Sequence, residues 1–270
     1  MRLGDDERVA FDREGFVLLR GAFDLQRVQS LCAGVERLIQ RARAGECQLR
    51  WIDEAAGIID RTSHMMHPDK YEAAWGEWLA EDVVDDMEAL LGGPIRHSLF
   101  GMLAGGGGRE YRMAWHRDIG KPGAEDEERF LRQHHGHFVQ FNAPIAATDT
   151  FLQVVPGSHL RASTQQEIAA SAAGLEGELD DGVVVHLEPG DILYYNANLW
   201  HRGWNPEGQR RWTMHAAYWL CRYPVMTHEN GQQKALQSAG HLHRLPDRTR
   251  QLIQRYLDAD CEDPKSLQEL

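Results

Sequence analysis

Trp115-His116-Arg117-Asp118 places an imidazole and a carboxylate on alternate residues. In an extended segment alternate side chains share a face, so His116 and Asp118 can both reach one ion. That is half of a metal site. His201 can complete it if later strands return across a sheet to bring it alongside. Two imidazoles and one carboxylate on one face leave coordination positions open on the other, which suits non-haem Fe(II) and oxygen chemistry. Shortly beyond His201 comes Arg211-Trp212-Thr213-Met214-His215-Ala216-Ala217. Alternation puts Arg211, Thr213, His215 and Ala217 on one face and Trp212, Met214 and Ala216 on the other. Arg211 is then the inward arginine, a rigid fork for a carboxylate of the kind a dicarboxylate co-substrate carries.

Such residues need elements to carry them. The run Phe16 to Leu19, bounded by glycines, predicts a strand, and Asp24 can cap a helix with Val28, Leu31, Val35, Leu38 and Ile39 at helical spacing until Gly45. A second helical region is expected over 71–91, with Leu79, Val83, Met87 and Leu90 on one stripe and Gly92-Gly93-Pro94 as its stop. From residue 95 the texture changes to short apolar runs separated by turn signals. Strands are expected at 95–103, 111–116, 137–143, 151–155, 183–187, 191–196 and 211–220, the pattern of an all-β sandwich or barrel. A loop is expected after His201, a low-signal helical stretch near 164–174 and a helix at 248–257 within a polar tail.

Other clusters read more simply. Gly105 to Gly108 is a hairpin loop, because neither Lys-Ser/Thr nor a helix follows it. The polar insertion 120–136 is a lid or a solvated excursion. His134, His135 and His137, like His64 and His67, are read as exposed side chains, and His159 as a turn residue held by hydrogen bonds. In the strand 137–143, Gln140 and Asn142 share a face opposite Val139 and Phe141 and can look into a cavity.

A chain of 270 residues is long enough for a sizeable core, and one domain is expected. Its net charge of −12 and pI near 5.6 argue against a nucleic-acid or anionic-membrane surface. No apolar run approaches a bilayer span, and the acidic start, Met1 to Glu7, is unlike a signal peptide. Cys32, Cys47, Cys221 and Cys261 are scattered, without the spacing of a disulfide framework or a thiolate zinc site. A cytoplasmic protein with a small-molecule partner is the expectation.

Several pieces fall in one order from about residue 10 to residue 220: Glu14-Gly15-Phe16-Val17-Leu18-Leu19, Trp115-His116-Arg117-Asp118, Val154-Val155-Pro156-Gly157-Ser158-His159, Pro189-Gly190-Asp191, His201 and Arg211. In that order the chain resembles the phytanoyl-CoA dioxygenase family of iron(II)- and 2-oxoglutarate-dependent oxygenases. The resemblance implies a mainly β fold with flanking helices, a double-stranded β-helix (jelly roll, cupin-like). It would form one domain over 1–270, with an N-terminal helical region 1–94, a β core at about 95–220 and a C-terminal appendage 224–270. It implies that His116, Asp118 and His201 ligate iron and that Arg211 pairs with the distal carboxylate of 2-oxoglutarate. Arg210 fits less well, since its register would turn Trp212 and Met214 toward the site.

The chain also departs from the family pattern. Arg202-Gly203 follows the distal histidine where many relatives have Gly-Ser, and Lys121-Pro122 stands where an aromatic residue is common. Thr213 and Gln140 are therefore read as further co-substrate contacts, and Arg117, Asn142 and Trp204 as substrate contacts. The activity implied is hydroxylation of a small-molecule metabolite with Fe(II), 2-oxoglutarate and O2, the co-substrate leaving as succinate and CO2. Desaturation or ring formation shares the oxidising step. Halogenation is disfavoured because Asp118 keeps the carboxylate that halogenating relatives lack. The alternative, a jelly-roll protein that binds a metal or small ligand without turnover, rests on the missing serine after His201. A coenzyme A thioester would call for a basic patch, and none is clear; Arg109, Arg112 and Arg117 offer instead to receive a carboxylate or other anion.

Overall fold

The computed structural model describes residues 3–259 and 263–267, so Cys261 lies outside the described residues. The acidic start forms a helix that the sequence reading did not anticipate, α1 (Asp5–Glu14). Asp5, Asp6 and Glu7 lie in its first turn, a favourable placement for negative charge, and Glu7 accepts from the Gly4 amide at 2.9 Å. Strand β1 (Phe16–Leu19) and helix α2 (Leu25–Arg43) follow as expected, with the Asp24 carboxylate accepting from the Arg27 amide at 2.8 Å. A small hairpin, β2 (Trp51–Asp53) and β3 (Ile58–Ile59), was not expected.

The region 71–91 is helical but not continuous. It comprises α3 (Ala73–Trp78), a π-helical turn (Leu79–Val83) and α4 (Val84–Leu91). The wider turn shifts the register, so Leu79, Val83 and Met87 are buried as the stripe requires, but Leu91 rather than Leu90 completes it.

The β region consists of β4 (Ile95–Gly105), β5 (Tyr111–Arg112), β6 (Phe138–Pro144), β7 (Asp149–Val154), β8 (Val183–Leu187), β9 (Ile192–Asn196), β10 (His201–Asn205) and β11 (Arg211–Leu220). Within it lie α5 (Glu127–His134) and α6 (Gln165–Ala172), and beyond it the short α7 (Gln233–Leu236) and α8 (Asp247–Leu257). All pairings between these strands are antiparallel, in a five-stranded sheet ordered β1-β9-β6-β11-β4 and a four-stranded sheet ordered β5-β10-β7-β8. This is a mainly β double-stranded β-helix with flanking helices. Two strand expectations need correction. Strand β5 stops after two residues instead of running to 116, and the segment after His201, read as a loop, is strand β10 held between β5 and β7. His-Arg-Gly-Trp-Asn has no alternating apolar signal; its two neighbours impose the extended form.

Alternation sorts the two faces of the larger sheet. Trp212, Met214, Ala216 and Tyr218 of β11, Val139 and Phe141 of β6 and Tyr194 of β9 pack outward against Leu31, Val35, Trp78, Met87, Leu252 and Ile253 from the helices. The opposite face, with Leu193 and Tyr195, packs toward Leu152, Val154, Val185 and Leu187 of the smaller sheet. The tail is more than an appendage. Helix α8 buries Leu252, Ile253 and Tyr256, and Glu229 meets Arg96 at 2.8 Å with both side chains inaccessible to solvent. No helix among the described residues is long and apolar enough to cross a membrane.

His97 and His215 are buried on opposite faces of this sheet, and loss of hydration drives each pKa down to about 3. Unfolded histidine titrates near about 6.5, so below that pH the unfolded chain binds more protons than the folded one. Their contribution is complete above about pH 6.5 and is lost as pH falls toward 3, by roughly 1.4 kcal/mol per pH unit for each histidine. Urea denaturation at pH 7.5 and pH 5.5 should therefore give a lower midpoint at the acidic value.

Candidate active site

After β5 the chain leaves the sheet but stays beside β10. His116 and His201 face each other in a reciprocal backbone bridge, each amide donating to the other's carbonyl at 3.0 Å. The Asp118 amide donates to the Ala197 carbonyl at 3.1 Å, which binds the loop to the β9–β10 connection as well. Each imidazole then turns the same way. His116 Nδ1 donates to the Ala114 carbonyl and His201 Nδ1 to the Leu199 carbonyl, both at 2.9 Å. With the proton on Nδ1, each Nε2 keeps its lone pair for a metal. The rings are 4.3 Å apart, and Asp118 Oδ1 is 3.4 Å from His116 Nε2. One ligand atom from each of His116, Asp118 and His201 lies within 4.8 Å of the others, and among the described residues no other group of His, Cys, Asp and Glu side chains has this spacing.

The protonation states suit ligation. Burial pushes the His201 pKa down to about 4, so its imidazole is neutral at pH 7. Burial alone would raise Asp118, but hydrogen bonding from His116 and the neighbouring histidines and Gln140 outweigh it and hold the carboxyl below its usual range. His116 moves up: burial opposes this, and its contact with Asp118 wins. A neutral imidazole, an ionised carboxylate and an imidazole that a cation can readily deprotonate form a donor set that fits a divalent metal.

Gln140, expected at the co-substrate, lines the same cavity and turns its amide to the His116, Asp118 and His201 group. Its amide donates to Asp118 Oδ2, and the Tyr195 hydroxyl donates to Gln140 Oε1 at 2.5 Å. Asn142 faces the cavity as well. Its Oδ1 accepts from His215 Nδ1 at 2.9 Å, while its Nδ2 is buried without a hydrogen-bond partner.

A cavity of about 120 Å³ joins the His116, Asp118 and His201 side chains to Arg211, with Asn142 and His215 in its wall. Arg211 is 6% exposed, and its Nε donates to Asp149 Oδ2 at 2.8 Å. The Thr213 hydroxyl donates to the same oxygen. Thr213, expected to contact the co-substrate, is thus engaged by Asp149. Arg210 lies outside, its guanidinium 4.4 Å from the centroid of the Trp212 ring. A second cavity of about 370 Å³ adjoins the first and shares Arg61, Leu103, Tyr111, Met113 and Arg211 with it.

Two expected substrate contacts point elsewhere. Arg117, between His116 and Asp118, projects to the opposite side by simple alternation and is 7% exposed. It donates to the carbonyls of Ser158 (2.7 Å), Asn198 and Arg161 (3.2 Å), and its Nε is 3.4 Å from Glu127 Oε1. Trp204 alternates with Gly203 and Asn205, which line the cavities, and so faces away; Arg112 and Arg202 stack on its ring, and Glu110 accepts from its indole. Arg112 pairs with Glu178 on that outer side, whereas Arg109 lines the larger cavity.

The insertion 120–136 is pinned through α5, where buried Glu127 accepts from the Gly123 and Ser163 amides, each at 2.9 Å, in addition to meeting Arg117. His134 and His137 converge on the Tyr223 hydroxyl, and His135 contacts Asp12 and Asn196. His64 stacks on His67 and meets Gln232. His159 is fully buried and reaches the Asp12 carbonyl at 3.1 Å, fastening the Pro-Gly-Ser-His turn to α1.

Asp149 and Arg61 escaped the sequence reading. Asp149 stands in Thr148-Asp149-Thr150, which reads as a polar turn. Arg61 reaches the cavity because Thr62 crosses β4 at Gly101, where a Cβ would come within 2.2 Å of the Thr62 carbonyl oxygen. Only the Gly at 101 hinted at such a crossing.

The family model described as phytanoyl-CoA dioxygenase (PhyH) matches residues 11–210, most of the chain. The chain belongs to the phytanoyl-CoA dioxygenase family. It is accordingly an enzyme of the non-haem iron, 2-oxoglutarate-dependent oxygenases, with O2 as the family's usual co-substrate. No curated protein sequence matches it. Solved structures share the fold at low identity. AviO1 from Streptomyces viridochromogenes Tue57 is 20% identical, with 83% of this chain and 98% of that chain covered and a TM-score of 0.58. EctD from S. alaskensis, solved with 2-oxoglutarate and 5-hydroxyectoine, is 18% identical, with 82% and 77% covered and a TM-score of 0.60. The carbocyclase SnoK from nogalamycin biosynthesis is 16% identical, with 90% and 91% covered and a TM-score of 0.60.

The position of Arg117 predicts its role. Arg117→Ala leaves Glu127 buried without its cation and should destabilise the fold by about 3–5 kcal/mol, read as a lower denaturant midpoint. A substrate-binding role would instead raise KM with the midpoint unchanged.

Proposed function

We propose that the protein is an Fe(II)- and 2-oxoglutarate-dependent dioxygenase that hydroxylates a small-molecule metabolite, converting 2-oxoglutarate to succinate and CO2. The observation that carries this reading is one cavity holding the His116, Asp118 and His201 donors together with the Arg211 guanidinium. His116, Asp118 and His201 are the iron ligands. When bound, iron with 2-oxoglutarate and O2 supplies the oxidant that attacks a substrate C–H bond.

The chain's own residues position and shield these reactants. The carbonyls of Ala114 and Leu199 hold the imidazoles in the ligating tautomer, and Gln140 occupies one Asp118 oxygen so that the other faces His116. Arg211 takes the distal carboxylate of 2-oxoglutarate through the edge of its guanidinium that Asp149 leaves free. Asn142 Nδ2, a buried donor without a partner, supports an acceptor oxygen lying between the ligands and Arg211. Arg61 lines both cavities, and no side-chain partner holds it among the described residues, so it provides a second cation for a dianionic ligand. Leu103, Met113, Phe151 and Leu152 keep the inner cavity partly apolar and limit water. The retained carboxylate of Asp118 occupies the place a halide would need, which favours hydroxylation over halogenation.

Anaerobic addition of Fe(II) and 2-oxoglutarate should produce a metal-to-ligand charge-transfer band in the visible range; its absence would count decisively against the proposal. Asp118→Ala should abolish both the band and succinate release. Arg211→Ala should raise the KM for 2-oxoglutarate by roughly 30-fold or more, as expected for removing a buried charge-paired contact. Succinate release that persists unchanged in both variants would show that the residues are misassigned.

A further inference from the structure

Asp149 is not among the groups that the proposed reaction requires, yet it is 1% exposed and its side-chain hydrogen bonds go to Arg211, Thr213 and the Phe151 amide beside the cavity. It opens β7, opposite the first residues of β11. Its Oδ1 accepts from the Phe151 amide at 2.9 Å, which fixes the carboxylate against its own strand. Its Oδ2 accepts from Arg211 Nε at 2.8 Å and from the Thr213 hydroxyl. The Arg211 guanidinium also lies 5.3 Å from the centroid of the Phe151 ring. Asp149 and Phe151, both on β7, therefore hold the guanidinium of β11 across the two sheets, at its Nε and against one face.

A flexible arginine could follow the distal carboxylate of diacids of different lengths, because its long side chain has several rotamers. A guanidinium held at Nε and against a ring cannot. Its terminal nitrogens make no hydrogen bond among the described residues, and Arg211 lines the inner cavity. We infer that Asp149 is a positioning residue that makes Arg211 a fixed gauge of co-substrate length, so that a 2-oxo diacid of five carbons is accepted and one a methylene longer or shorter is rejected. This rests on the reading of Arg211 as the co-substrate's carboxylate partner.

Both oxygens of Asp149 act as acceptors. Asparagine has the same shape but can accept on one side only, so Asp149→Asn should lose part of the constraint and Asp149→Ala all of it.

The test is anaerobic titration of the Fe(II)-loaded protein with 2-oxoglutarate, 2-oxoadipate and oxaloacetate, following the visible band, with a thermal melt of each variant. The wild-type protein should bind 2-oxoglutarate at least roughly tenfold more tightly than either homologue. In Asp149→Ala the affinity for 2-oxoglutarate should fall by roughly tenfold or more and the ratio between the diacids should approach unity, with Asp149→Asn intermediate. A purely structural role would lower the melting midpoint and the fraction of protein that binds while preserving the ratio, and that result overturns the inference. If Asp149→Ala does not fold, the ratio in Asp149→Asn decides, an unchanged ratio again overturning it. A wild-type protein that discriminates while both variants discriminate equally well defeats this inference alone. A wild-type protein that binds none of the three diacids defeats the functional reading and this inference with it.

Discussion

The reciprocal backbone bridge between His116 and His201 is the contact on which the site depends. It joins a loop that has left its sheet to the first residue of β10, and it brings two imidazoles distant in sequence within 4.3 Å of each other. Backbone hydrogen bonds at this point leave little freedom in where the Cβ atoms lie, so the rings have only to rotate into register, and the carbonyls of Ala114 and Leu199 set that rotation. A metal site needs its ligands placed to within a fraction of an ångström, and backbone pairing achieves that better than side chains on mobile loops.

Much of the surrounding chain supports this bridge from outside. The Pro-Gly-Ser-His turn places the Ser158 hydroxyl to accept from the Trp200 amide at 2.9 Å, immediately before His201. The Ser158 carbonyl accepts from Arg117, immediately after His116. The two halves of the bridge thus lean on one turn, which His159 anchors to α1. Glu127 of α5 adds the charge that makes a buried guanidinium tolerable there. The other motif residues act as mechanical supports for His116 and His201.

The inner cavity combines cations and anions in a confined space. Asp118 is held ionised beside the histidines, and Asp149 is paired with Arg211, while Arg61 faces the cavity from a crossing strand segment. In a chain of net charge −12 this local concentration of guanidinium groups gives an anionic ligand a reason to enter one particular cavity. Arg109 and Arg61 extend the same character into the larger cavity. No basic patch is legible in the sequence because these arginines are contributed by separate elements.

Strand periodicity and motif order were legible in the chain itself. Alternation is a property of every extended segment, so the sequence alone determined that His116 and Asp118 share a face, that Arg211 and not Arg210 points inward, and that Val139 and Phe141 pack away from Gln140 and Asn142. The same rule, applied to Arg117 and Trp204, would have turned both outward. Local sequence could not say which atoms fill the space each face looks into. Only the tertiary structure decided that Gln140 serves Asp118, that Thr213 serves Asp149, that a π-helical turn shifts the buried stripe to Leu91, and that a strand without apolar signal carries His201. Those outcomes depend on which distant segments arrive at the same place, and a single chain read residue by residue carries no record of that.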